Sequence, residues 1–220
     1  MNAKTNARRF GLSFLVGATI AAGSLVGCAS SKSPRDISLS DGRNISEDLN
    51  RAVGLVARAQ RAQKDEEFDE AIAFYQQAVQ AYRDFPAAWN NMGVLMLNQQ
   101  RYLEAAECFA NAIEMAPQDP RPSFNLGLTW DKAGYPSDAL THYQAALQRD
   151  GKYLPALRGA ARASWLLRRY NDSSLDVVRT ALLIEQEGRW REWLELENVR
   201  IQNELSQPTF SGVGGSFTTP

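Results

Sequence analysis

Apolar and polar positions follow a helical period through most of the chain, and the pattern itself recurs every 34 residues. Ala71, Ala105 and Ala139 are 34 apart, as are Tyr75, Phe109 and Tyr143, and Ala78, Ala112 and Ala146. Ala59, Gly93, Gly127 and Ala161 form a fourth series. Phe68, Tyr102 and Tyr170 form a fifth, broken where Pro136 leaves Tyr135 one residue early. The periodicity predicts helices over 46–64, 68–83, 86–98, 102–115, 120–133, 136–149, 154–168 and 171–184. Pro86, Pro120 and Pro136 stand at three of the starts, where a missing N–H costs little. A last helix is predicted from about 189 to 205, with Trp190, Trp193, Leu194, Ile201 and Leu205 on one side and Glu192, Glu195 and Glu197 mostly elsewhere. It reads as a helix that caps the end of the array, over residues 188–206. The alternative is that its two tryptophans lie in the groove.

The ends of the chain break this pattern. Residues 1–9 are polar and close on Arg8-Arg9, and Phe10 to Gly27 carry no charge. A basic segment, an apolar segment and small residues, in that order, read as a secretory signal over 1–27. A membrane-spanning helix is the competing reading, weakened by Gly11, Ser13, Gly17, Thr19, Gly23 and Ser24. Residues 29–43, with five serines, Pro34 and Gly42, read as a flexible tether. Residues 207–220, rich in Ser, Thr and Gly, have no periodicity and are expected to be disordered.

Composition adds limits. Of 220 residues, 44% are apolar and 22% charged, ordinary for a folded chain. The formal net charge is −1, and loss of residues 1–27, with Lys4, Arg8 and Arg9, leaves 21 basic against 25 acidic residues, near −4. Nucleic acid is therefore not the expected partner, since it calls for a basic patch. Cys28, Cys108 and the single His142 suit neither a disulfide scaffold nor a metal cluster. Cys108, beside Phe109, reads as a buried free thiol, and His142 as a surface residue. With no nucleophile–base pair and no phosphate-cradling loop, neither catalysis, a cofactor nor a small-molecule substrate is expected.

The repeated residues resemble the tetratricopeptide repeat. The unit 86–119 has Trp89, Met92, Gly93, Tyr102, Ala105, Phe109, Ala112 and Pro117 at the signature places of that family. The unit 120–153 keeps Leu126, Gly127, Trp130, Ala139, Tyr143 and Ala146, with Gly151 where a proline is usual. The unit 52–85 keeps Leu55, Ala59, Ala71, Tyr75 and Ala78. The unit 154–187 is degenerate, keeping Leu157, Ala161 and Tyr170 but having Ser173 and Thr180 in place of alanines. The resemblance implies an all-α solenoid of antiparallel helix pairs over 44–187, stacked because one pair cannot bury its apolar face alone. Small residues at the helix contacts let the backbones approach, and the aromatic of each second helix fills the seam to the next unit.

Leu25-Val26-Gly27-Cys28 resembles the bacterial lipobox. The likeness implies a diacylglyceryl thioether on Cys28, cleavage before it and acylation of the new amino terminus, enough acyl chain for stable anchoring. Ala29 after the cysteine points to the outer membrane, facing the periplasm.

The family resemblance also implies where a ligand would sit, on the concave face made by the first helix of each pair. Its candidate residues are Asn90 and Asn91, then Arg121, Phe124 and Asn125, then Arg158, Arg162 and Trp165. Asparagines suit the donors and acceptors of a peptide backbone. Arg158 and Arg162, one turn apart, are expected to grip a carboxylate. The carboxylate clamp of chaperone-binding members is not expected: Asn91 fits and Arg121 could replace one lysine, but Val56, Gln60 and Asn125 do not match. The expected function is an envelope-anchored scaffold that binds a partner protein or peptide. The alternative is an assembly lipoprotein of a pilus or secretion apparatus, similar to a pilotin.

Overall fold

The computed structural model describes residues 44–207. The signal segment, Cys28, the tether and residues 208–220 lie outside the described residues. Within them the chain forms helices and no strand: α1 (Ile45–Lys64), α2 (Phe68–Ala81), α3 (Pro86–Asn98), α4 (Tyr102–Met115), α5 (Pro120–Lys132), α6 (Pro136–Arg149), α7 (Leu154–Leu166), α8 (Asp172–Ile184) and α9 (Gly188–Ser206). The predicted elements are all present, with ends that shift by one or two residues. Helix α2 stops at Ala81 because Tyr82 is extended, with φ −142° and ψ 101°.

The turns inside the pairs share one device. Glu66, Gln100, Gly134 and Arg168, again 34 apart, all have a left-handed backbone, with φ of 63°, 62°, 89° and 51°. After each, the amide of the next residue reaches back five positions to the helix: Glu67 N to Ala62 O, Arg101 N to Met96 O, Tyr135 N to Trp130 O and Arg169 N to Ser164 O, at 2.8–2.9 Å. This Schellman closure satisfies carbonyls that the helix end leaves open. It also ends α7 at Leu166, since Arg168 has left the helix. The starts are set differently. Pro86, Pro120 and Pro136 each occupy the first helical position. Asn171 and Ser174 form a reciprocal capping box at α8.

Helices pack chiefly on their sequence neighbours, so each pair is an antiparallel hairpin and the pairs stack. Tyr75, Phe109 and Tyr143 are completely or almost completely buried in the seams. Each such aromatic contributes about 1.5–3 kcal/mol by leaving water. Their partners are small. A Cβ at Gly127 would stand 2.7 Å from Tyr143 Cδ1, and one at Gly159 would stand 2.7 Å from Tyr143 Cζ. The Tyr143 ring is therefore held between the first helices of two successive units.

Helix α9 continues the series as a fifth first helix. Leu194, Glu197 and Ile201 are buried, and Leu194 and Ile201 pack with Leu157, Ala161, Leu175, Val178 and Ala181. They stand 34 after Ala160, Ala163 and Leu167 of the fourth unit. The side of α9 on which a further second helix would pack carries Arg191, Glu195, Asn198 and Gln202. A polar side there offers little for the second helix of a fifth pair to bury.

Candidate functional site

The first helices α3, α5 and α7 stand side by side and contact one another, forming one face. Asn90, Asn91, Phe124, Asn125 and Arg158 on it are half-buried, and Arg121, Arg162 and Trp165 are exposed. Asn125 Nδ2 donates to Asn90 Oδ1 at 2.9 Å, joining α5 to α3 across the face. The Tyr75 hydroxyl is buried beside Asn91 with no hydrogen bond, and burial pushes its pKa up. Phe124 stacks against Tyr143 at 5.8 Å between ring centres and meets Tyr153 edge-on at 5.6 Å. This stretch therefore offers amide groups beside an aromatic surface.

The three arginines of the face are ion-paired within the array. Arg158 donates Nε to Glu185 Oε2 at 2.7 Å and Nη2 to Glu185 Oε1 at 2.6 Å, and it approaches Glu187 at 3.0 Å. The Glu185 side chain is 1% exposed, and the guanidinium holds its carboxyl below the usual range. Arg162 bonds to Asp131 at 2.5 Å, and the Tyr143 hydroxyl donates to the same Asp131 oxygen at 3.4 Å. Arg121 bonds to Asp119, the residue that caps its own helix. A partner carboxylate gripped by Arg158 and Arg162 would compete with carboxylates of the array, since Arg158 already pairs with Glu185 and Arg162 with Asp131. Glu185, in the turn after α8, was invisible to a reading of first helices alone.

At its far end the face continues onto α9. Adding 34 to Pro155, Gly159, Arg162, Trp165 and Leu166 gives Arg189, Trp193, Leu196, Val199 and Arg200. That sum was available from the sequence, but the degenerate fourth unit gave little reason to carry the register further. Trp193 meets Trp165 edge-on at 6.5 Å and Trp190 edge-on at 5.6 Å, and Arg158 lies 5.1 Å over the Trp190 ring. A cleft of about 500 Å³ opens among Arg162, Trp165, Glu187, Arg189, Trp190 and Trp193. A second, of about 490 Å³, lies on the other side of Trp165, reaching Arg200 and Glu204.

Elsewhere, Cys108 is buried with Sγ 3.6 Å from Met96 Sδ, and burial with nearby Glu107 and Glu104 raises its thiol to about 12. Such a thiol is a poor nucleophile. His142 is half-buried, and burial lowers its pKa. Among the described residues no three of His, Cys, Asp or Glu are grouped to hold a metal ion, and no helix is long and apolar enough to cross a membrane.

Comparison with known proteins agrees with this architecture. Residues 62–123 match the model of the tetratricopeptide repeat. The chain is 29% identical over 87 residues to BBSome complex member BBS4 of Bos taurus, covering 40% of this chain and 17% of that protein. It is 25% identical over 143 residues to the peroxisomal targeting signal receptor of Candida albicans, covering 65% and 22%. The chain thus matches less than a quarter of the length of these relatives. Among solved structures, the tetratricopeptide domain of Arabidopsis OM64 superposes with a TM-score of 0.52 at 13% identity, over 54% of this chain and 98% of that one. The first such domain of Spaghetti (RPAP3), solved bound to the HSP90 peptide SRMEEVD, gives 0.53 at 17% identity, over 55% and 95%. The match over residues 62–123 and the two superpositions agree on an all-α fold of tetratricopeptide type for the described residues.

Proposed function

We propose that this protein is a scaffold anchored in a bacterial cell envelope, which holds a partner protein or peptide on the concave face of its repeats. The observation that carries the binding role is the row Asn90, Asn91, Phe124 and Asn125, where side-chain amides and an aromatic ring are presented together by adjacent first helices. Amides that both donate and accept match a peptide backbone, and the ring supplies apolar contact. The relatives named as a targeting-signal receptor and a complex member, and the neighbour solved with a peptide, support a binding role. The anchoring part rests on the lipobox likeness at Leu25–Cys28 alone. A lipid on Cys28 would hold the array at the membrane, with the outer membrane favoured by Ala29.

The test is crosslinking and capture from solubilised membranes. Wild type should hold a defined partner, and Asn91→Ala with Phe124→Ala should lose most of it at a temperature where circular dichroism shows the variant still folded. Undiminished capture by that double variant would sink the concave-face reading. Labelled palmitate should enter the wild-type protein and not Cys28→Ala, which should leave the membrane fraction. Wild type that stays at its unprocessed mass without label would sink the anchor.

A further inference from the structure

We infer that the groove between α7 and α9 docks an acidic amphipathic helix of the partner, resting on the concave-face reading above and adding a site to it. Trp165, Leu166, Leu196 and Val199 are 39%, 45%, 68% and 53% exposed; the first two line the clefts, and the other two stand 34 after Arg162 and Trp165 on α9. Exposed apolar side chains that share the register of the concave face are of the kind that marks a docking surface. Trp193 forms the floor between Trp165 and Trp190, edge-on to both. Arg158, itself fixed by Glu185, braces Trp190 from its ring face. The aromatic part of the groove is therefore built before any partner arrives, which lowers the ordering cost of binding.

Length and charge identify the occupant. The two clefts follow α9 from Arg189 to Glu204, a span of about 22 Å at the rise of an α-helix. That accommodates roughly four turns of a helix laying one apolar side into a groove. The clefts are lined by Arg162, Arg168, Arg189 and Arg200 against Glu187 and Glu204, in a chain whose formal net charge is −1. Among the described residues, Arg162 and Arg200 are paired with Asp131 and Glu197, and Glu187 with Arg158, which leaves Arg168 and Arg189 against Glu204 without an ion-pair partner. The unspent charge near the tryptophans is thus positive, and carboxylates beside the apolar side of the incoming helix would meet it. Residues 208–220 contain Phe210 and Phe217 but no acidic residue, so charge favours a partner helix over this segment.

The probe is a labelled peptide of about 18 residues with leucines at i, i+3, i+4 and i+7 and glutamates opposite, and its twin has lysine for every glutamate. Binding to the full chain in detergent is read by anisotropy against empty micelles, with tryptophan fluorescence as a second signal. The glutamate peptide should bind at least tenfold more tightly than its twin and shift the tryptophan emission. Leu196→Glu with Val199→Glu should weaken it at least tenfold with an unchanged melting temperature, since both side chains are exposed. Arg168→Ala with Arg189→Ala should reduce the salt dependence. Equal affinity for the two peptides, or wild-type affinity in the Leu196/Val199 variant, overturns the proposal. So does a rise in affinity for both peptides when residues 208–220 are deleted, which would make that segment the occupant. A dimer dissolved by Leu196→Glu would make it a second copy. If native partner capture is lost in the Asn91/Phe124 variant but kept in the Leu196/Val199 variant, the concave-face reading stands and this one falls. If neither variant affects capture, both fall.

Discussion

The ring of Phe109 occupies the space that a side chain on Gly93 would need: a Cβ there would stand 2.8 Å from Phe109 Cε1. The second unit closes on this contact, because Phe109 is wholly buried and Gly93 belongs to the facing helix. Gly93→Ala should therefore lower stability by about 1–3 kcal/mol, the usual cost of overpacking. Gly54→Ala is the matched control. It lies within α1 with nothing inside 4 Å of the added carbon, so the same change should raise stability by about 0.5–1 kcal/mol. Urea unfolding of both decides the matter. Adding Phe109→Leu to Gly93→Ala should cost less than the two single changes together, because the smaller side chain relieves the clash.

The four left-handed turn residues give a prediction of opposite sign at equivalent positions. Glu66, Gln100 and Arg168 carry a Cβ into a conformation that disfavours it, whereas Gly134 does not. Gln100→Gly should stabilise the array by about 0.5–1 kcal/mol, the strain relieved less the entropy glycine gains when unfolded. Gly134→Ala should destabilise it by about 1 kcal/mol. Thermal melts that move both variants in the same direction would contradict this account.

The Arg158–Glu185 pair should make stability depend on acid. Glu185 has a folded pKa below its ordinary value, with Arg158 as the main cause. Its contribution is present above the ordinary carboxylate pKa and is lost as pH falls through the lower folded value. Arg158→Ala leaves the carboxylate buried and unpaired, and should cost about 3 kcal/mol at pH 7. The deficit relative to wild type should begin to shrink above the ordinary carboxylate pKa, where the buried and unpaired Glu185 of the variant takes up a proton, and go on shrinking as acid breaks the wild-type pair. Replacing the pair by Arg158→Met with Glu185→Leu should recover much of the loss. Denaturant melts across pH test all three variants.

Glu197 should behave in the opposite way. It is buried in α9, Oε2 accepts from Arg200 at 2.5 Å, and Oε1 has no partner. Burial raises its pKa above the ordinary value. Its favourable contribution is then present below the ordinary pKa and is lost as pH rises through the folded value. Glu197→Gln, which carries no charge to bury, should melt higher than wild type at pH 8 by about 2 °C, with the gain vanishing near pH 4. A constant difference across that range would exclude burial of charge as the cause.

The sequence by itself determined the helices and the 34-residue register, because both are local. A residue's place on a helical period states whether it faces the core, and small residues at 93, 127 and 161 against aromatics at 109 and 143 state how the pairs close. Proline marked the starts for the same reason: its effect is confined to its own backbone. The left-handed turns were half-legible, since only Gly134 among the four positions displays its backbone in its residue type.

Only the tertiary structure decided how the charges of the candidate face are spent. Arg158 finds Glu185 27 residues away, and Arg162 finds Asp131 31 residues away. Neither pairing follows from a periodicity, because a long side chain can reach several neighbours and the stacking of the units determines which carboxylate lies within hydrogen-bond distance. The same holds for Trp165, Trp190 and Trp193. The pattern put the first on the groove and the others on a last helix, but the packing of α9 on α8 brought their rings edge to face. Burial repeats with the sequence because it is a property of one position, whereas an ion pair or an aromatic corner is a property of two, and the fold alone fixes the distance between them.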